Sequence, residues 1–210
     1  MINFFKKSIV IYAPNYPSEG DYYKSAFIHT RAKEYKKKGY IVEIIVPSKE
    51  DLDYTFEGIT VKRLDPNSHL KYISNKKFDI VISCECFEHA KNWKKIFQSM
   101  YNVCKANGFV IFTCASRGRI EHGTARTINS DSPGTDDSYY KNIFKREFEK
   151  SFNINKLLKQ SLLHYNIKSS DLYFFGSKEK NFKIDIQKIN EAIKLIKNRN
   201  RKIKIFRNWT

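Results

Sequence analysis

At 210 residues, 41% hydrophobic and 15% aromatic, the chain has the apolar content for one compact α/β domain and a short appendage. Eight glycines and five prolines are too few for a collagen-like or low-complexity chain, and no apolar run approaches the roughly 18 residues of a membrane span. Lys and Arg number 39 against 22 Asp and Glu, a net +17 that favours anionic partners such as nucleotides, phosphorylated sugars, nucleic acid or anionic lipid.

Met1 to Phe5 lacks the charged start, apolar middle and small-residue cleavage site of a secretory signal, so a cytoplasmic location is expected. The cysteines agree. Cys84 and Cys86 alternate along a strand end while Cys104 and Cys114 stand apart, unlike a disulfide framework, and a single C-x-C is too little for zinc, so no metal is expected.

Ser8 to Ala13 (SIVIYA) reads as a buried strand stopped by Pro14, and Tyr22 to Lys38 carries helical spacing that Gly39 ends. Tyr40 to Val46 and Gly58 to Leu64 read as the next strands, and Phe78 to Cys84 (FDIVISC) as the fourth. Lys91 to Lys105 places Trp93, Ile96, Phe97, Met100, Tyr101 and Cys104 on one helical stripe, with Asn107-Gly108 as its stop, before a fifth strand at Phe109 to Cys114. Alternating strands and helices with short connections predict a single Rossmann-like, doubly wound, mostly parallel sheet, whose ligand crevice lies beyond the carboxyl ends of its strands.

Ser116 to Tyr140 has no apolar periodicity and is too long for a casual connection, so it is either a functional loop or a disordered one, and its departure directly from a core strand favours function. Lys145 to Lys159 reads as a helix, and Ser161 to Tyr165 and Leu172 to Gly176 as closing strands. The domain is expected to span 1–177, followed by a basic amphipathic tail over 178–210 with eleven Lys and Arg against three Asp and Glu. In that tail Ile186, Ile189, Ile193 and Ile196 share one helical face, suited to packing on the domain, to a partner protein, to an anionic membrane at the inner face of the cell membrane, or to RNA.

Several motifs between Phe78 and Lys178 resemble class I S-adenosylmethionine-dependent methyltransferases of the type 11 group associated with surface polysaccharides. They are FDIVIS-ECFEH at Phe78 to His89, Trp93, the helix followed by NG and FVIFTCAS, GR-EHGT at Gly118 to Thr124, DSPGT at Asp131 to Thr135, YYKN at Tyr139 to Asn142 and DLYFFGSK at Asp171 to Lys178. Residues 7–83 instead resemble the start of a GT-B glycosyltransferase of the glycogen-synthase-like group, through the P-x-YP loop at Pro14 to Pro17 and YYKSAFIHTRAKEYKKKGYIVEIIV. The domain then divides into a glycosyltransferase-like half, 1–77, and a methyltransferase-like half, 78–177. The position of the methyltransferases' glycine-rich loop holds YAPNYPSEGDYY, with Gly20 its one glycine.

The resemblance implies S-adenosylmethionine as cofactor and a carbohydrate or related small molecule as acceptor. Under it, His89 and His122 are the candidate bases, with Glu88 or Glu85 orienting His89. Asp65, Glu85, Phe87 and Gly20 would face the cofactor. Arg117, Arg119, Glu121, Thr124, Tyr139 and Tyr140 would hold the acceptor, the arginines through planar bidentate contacts. The alternatives are a glycosyltransferase-like acceptor-binding fragment without catalysis, and a basic RNA- or membrane-binding module.

Overall fold

A computed structural model describes residues 7–22, 25–127 and 139–179. The expected tail helix from residue 180 onward, and 128–138 of the long loop with its DSPGT motif, lie outside the described residues. The remaining chain forms one eight-stranded sheet in the order β3-β4-β2-β1-β5-β6-β8-β7. The strands are β1 (Ser8–Tyr12), β2 (Ile41–Pro47), β3 (Leu52–Phe56), β4 (Ile59–Leu64), β5 (Phe78–Cys84), β6 (Cys104–Ala115), β7 (Gln160–Asn166) and β8 (Asp171–Ser177). β4, β2, β1, β5 and β6 run parallel, while β3 is antiparallel to β4, and β8 to both β6 and β7. The doubly wound, mostly parallel sheet is as expected.

Both faces of β1 are covered, which is why it reads as an unbroken apolar run. Ile9 and Ile11 join a core with Ile28 and Ala32 of α1 (Ala26–Lys37), whereas Val10 and Tyr12 join the opposite core. In that second core Phe97 of α3 (Trp93–Val103) meets Phe112, Phe148, Phe152 and Phe174 with ring centroids 6.1, 4.9, 4.6 and 5.7 Å away. Burying one such ring contributes about 1.5–3 kcal/mol.

α1 ends as Gly39 predicts, with φ 89° at the glycine and Tyr40 N–H reaching back to Tyr35 O at 3.1 Å. It starts later than Tyr22, because Ser25 adopts the left-handed conformation just before Ala26. The predicted Asn107-Gly108 helix stop is not one. α3 ends at Val103, and Asn107 and Gly108 lie inside β6, where the register with β5 shifts between Phe78 and Ile80. A Cβ on Gly108 would stand 2.6 Å from Asp79 O, so the glycine serves close strand approach.

Two elements were not expected. β3 forms a hairpin with β4 through Glu57-Gly58, both at positive φ (43° and 75°). α2 (Pro66–Ile73) starts at Asp65, whose carboxylate accepts from Asn67 N–H and Ser68 N–H at 2.7 and 3.1 Å, with Pro66 at the first helical position. The single helix expected over Lys145 to Lys159 is two, α4 (Lys145–Ser151) and α5 (Ile154–Leu157), broken where Asn153 caps the second. Lys178, expected to open the tail, is held by Tyr101 O and Cys104 O at 3.1 and 2.9 Å and lies over the Tyr101 ring.

Candidate active site

After β1 the chain builds outward through β2 and β4, then returns to lay β5 on the other side of β1. The crevice outside the carboxyl ends of β1 and β5 is therefore the place where a doubly wound sheet takes a ligand. Tyr12, the last residue of β1, pairs with Ser83 near the end of β5. Glu85 follows at φ 52°, a left-handed conformation that costs a non-glycine residue about 1–3 kcal/mol and so points to a constrained functional turn. A short 3₁₀ turn, Phe87–His89, comes next.

Glu88 is fully buried, and its two ends tie neighbouring segments together. One carboxylate oxygen accepts Ala115 N–H at 3.0 Å, and its backbone carbonyl accepts Lys141 N–H at 2.9 Å. The other oxygen, Oε2, has no hydrogen-bond partner among the described residues, and neither has Glu85 Oε2. Burial, and then the Glu85 carboxylate beside it, push the Glu88 pKa well above the usual carboxylate range. His89 is 3% exposed with Nδ1 unpartnered, and burial followed by the neighbouring His122 lowers its pKa to about 4.

The long loop brings His122 to this group. The His89, His122 and Tyr140 rings meet edge-on in a triangle with centroids 5.2, 5.5 and 5.2 Å apart. His122 Nδ1 lies 3.1 Å from Ile120 O and 3.2 Å from Tyr140 Oη, which is itself 3.2 Å from Ile120 O. A carbonyl only accepts, so Nδ1 carries the hydrogen and Nε2 the lone pair. One ligand-type atom each from Glu88, His89 and His122 falls within a 4.8 Å spread.

The structure thus brings together Glu85, Glu88, His89, His122 and Tyr140. Other residues expected at the site are spent elsewhere. Phe87 is fully buried against Phe112 and Trp93 and belongs to the core. Asp65 caps α2, and Gly20 sits in a turn where an added Cβ would meet nothing within 4 Å. Arg119 donates to Ser169 O at 2.7 Å and lies 3.8 Å from Asp171, so it braces the loop. Thr124, fully buried, donates to Glu121, which also pairs with Arg126. Arg117 is exposed, and Tyr139 lies under the Lys91 ammonium at 5.9 Å.

Ser83 Oγ and Asn142 Oδ1 are also buried without hydrogen-bond partners among the described residues, and Asp171 Oδ1 has only the Arg119 guanidinium, 3.8 Å away. Sequence reasoning missed all three because serine, asparagine and aspartate at strand and loop ends carry no chemical pattern. Ser83 Oγ and Glu85 Oε2, two buried atoms without a hydrogen-bond partner among the described residues, fit a polar cofactor on the β5 side of the crevice. On the β1 side the cradle is different from a glycine-rich loop. Tyr16 fills that loop, fully buried, with its hydroxyl 2.8 Å from His29 Nδ1, and Asn15 Oδ1 accepts from Arg63 at 3.0 Å.

Residues 30–112 match the family model described as a methyltransferase domain, a stretch that runs across the boundary between the two expected halves. No curated protein matches the chain. Among solved structures, the CurJ carbon methyltransferase aligns with TM-score 0.55 at 6% identity, over 85% of this chain and 50% of that one. The plantazolicin methyltransferase BamL, solved with a triazolic desmethylPZN analog and SAH, aligns with TM-score 0.52 at 13% identity, over 85% and 79%. The N-terminal domain of EvdMO1 with SAH bound gives 0.50 at 10%, over 82% and 75%. The chain spans half the length of the CurJ structure. It has the Rossmann-like fold of these methyltransferases, and the family match lies within the same sheet.

Proposed function

We propose that the chain is an S-adenosylmethionine-dependent methyltransferase acting on a hydroxyl group of a small acceptor of carbohydrate type. The observation that carries this reading is the group formed by buried Glu88 and His89 with the partly exposed Glu85, His122 and Tyr140, at the carboxyl ends of β5 and β6. It stands beside the switch point of a sheet in which residues 30–112 match a methyltransferase domain.

Ser83 and Glu85 are the residues that would hold the cofactor, which supplies an electrophilic methyl group when bound. His122 acts on the acceptor. Its Nε2 lone pair is available, it is partly exposed where His89 is buried, and Nδ1–H is anchored on Ile120 O, so it can take the hydroxyl proton without turning. Tyr140 Oη lies against the same Nδ1 and shares Ile120 O with it. Tyr139 offers a face for a sugar ring and Arg117 a free guanidinium for an anionic substituent.

Calorimetric titration with S-adenosylhomocysteine tests the reading. Binding near micromolar Kd, about −8 kcal/mol, is expected, and absence of heat at millimolar ligand overturns it. With an acceptor identified, His122→Ala is expected to lower turnover by about tenfold or more with S-adenosylhomocysteine affinity unchanged. Equal turnover removes the proton-acceptor role.

A further inference from the structure

The site holds more unpaired ligand atoms than one base and its orienting partners require. Among the described residues, Glu88 Oε2 and His89 Nδ1 are buried without a hydrogen-bond partner, on residues that are 0% and 3% exposed. His122 is fixed by its Nδ1–H on a backbone carbonyl, leaving Nε2 bare. Metal-binding imidazoles have this arrangement, one nitrogen anchored on a carbonyl and the other free, because the anchor sets both tautomer and ring direction. Glu85, a second carboxylate beside Glu88 with its own orphaned oxygen, adds the negative charge that would offset a cation.

We propose that Glu88, His89 and His122 form a binding site for one first-row divalent transition-metal cation of the zinc type. The donor set selects the class. Two imidazole nitrogens and a carboxylate oxygen suit zinc, whereas magnesium and calcium take oxygen donors throughout. The nearby thiols do not enter, since Cys86 is turned to Tyr12 O and Cys84 O at 3.4 Å.

In a tetrahedral site two ligands on one zinc ion stand about 3.3–3.5 Å apart. One ligand atom of each of the three residues lies within 4.8 Å of the others, so loading draws the widest pair together by up to about 1.5 Å, a movement that falls to His122 on its partly exposed loop. Three protein ligands leave the fourth position open. There the acceptor hydroxyl would coordinate and lose its proton more readily, and because the His122 lone pair would then be held by the metal, the proton would pass to solvent water in the loaded protein. This last role rests on the methyl-transfer reading, whereas the cation site does not.

The test uses the full chain after treatment with a chelator, without cofactor. Zn²⁺ is titrated by calorimetry, and Co²⁺ is followed by its visible absorption, whose intensity reports four-coordination. One equivalent is expected to bind, and His122→Ala and Glu88→Gln are each expected to weaken binding by a hundredfold or more. His122→Ala is the folding control. The residue is partly exposed and Tyr140 Oη keeps Ile120 O as a partner, so its circular dichroism and melting should match the parent. Absence of binding by the parent protein, or binding by either variant as tight as the parent's, overturns the proposal. S-adenosylhomocysteine titrated into the chelator-treated protein separates the two ideas. Zn²⁺ binding without it upholds the site and removes methyl transfer, and the reverse result removes the site alone.

Discussion

Replacing Glu88 by alanine or by glutamine separates its structural part from its chemical one. Its carboxylate is the acceptor for Ala115 N–H, 3.0 Å away at the end of β6. Alanine leaves that buried donor unpaired, at about 1–3 kcal/mol. It also removes buried side-chain atoms and opens a void, worth about another 1–2 kcal/mol by comparison with other large-to-small changes. Glutamine keeps an acceptor oxygen in place and presents an amide to Glu85, so its change should stay within about 1 kcal/mol. The two variants should then differ by about 1–5 kcal/mol. For a domain of this size 1 kcal/mol moves Tm by about 2–4 °C, giving a gap of about 2–20 °C. Scanning calorimetry with chelator present measures it, so that a lost cation does not add to the glutamine result. If glutamine lowers Tm as far as alanine does, the hydrogen bond to Ala115 is not what Glu88 contributes, and the account of its tie between β5 and β6 fails.

Further outcomes follow from the rest of the fold. Phe97→Ala removes the ring at the centre of the aromatic core and should cost about 3–5 kcal/mol, read from urea midpoints, with a loss under 1 kcal/mol showing that the neighbouring rings close the gap. Tyr16→Phe strands His29 Nδ1 and should cost about 1–2 kcal/mol, while an unchanged midpoint would mean that the Tyr16–His29 hydrogen bond is not stabilising. Asp79 is partly buried, which raises its pKa, but hydrogen bonds from Ser8 N–H at 2.7 Å, from Lys105 at 2.9 Å and from Ser8 Oγ at 3.0 Å outweigh this and hold it below the usual value. Its stabilisation is therefore complete above the ordinary carboxylate range and is lost as pH falls through the folded-state value, so Asp79→Asn should flatten the acid limb of a stability-against-pH curve. Burial pushes Cys104 up to about 11 and Cys84 up to about 12, with Cys86 and Cys114 also raised well above the usual value. A chromogenic thiol reagent at neutral pH should find no reactive thiol in the folded protein and four after unfolding, and a fast-reacting thiol in the native state would contradict that burial.

The parallel strands were legible in the sequence because each is buried on both faces, which leaves an apolar run wherever it falls, as at SIVIY and FDIVISC. The α3 stripe and the Gly39 cap were legible for equally local reasons, a period of 3.6 and a backbone conformation that glycine takes without strain. β3 and α2 escaped because their signals are weak or short: LDYTF exposes most of its side chains, and the cue for α2 is only Asp65 before Pro66. Gly108 was misread because a local rule makes Asn-Gly a helix stop, while the strand alongside, at Asp79, is what requires it.

At the site, sequence singled out Glu88, His89 and His122 as chemical residues, but it could not bring them together. His122 is 33 residues beyond His89, and only the return of β6 beside β5 sets their rings 5.2 Å apart. For the same reason the expectation of no metal rested on cysteine spacing, whereas the cluster that can take a cation comes from different strand ends. Phe87 and Asp65 went the other way, one absorbed by the core and the other by a helix cap. Composition and periodicity determine which residues are buried and in what elements, because those forces act over a few residues. Which polar groups are left facing one another is decided by strand order and loop path, and that information exists only once the sheet has closed around them.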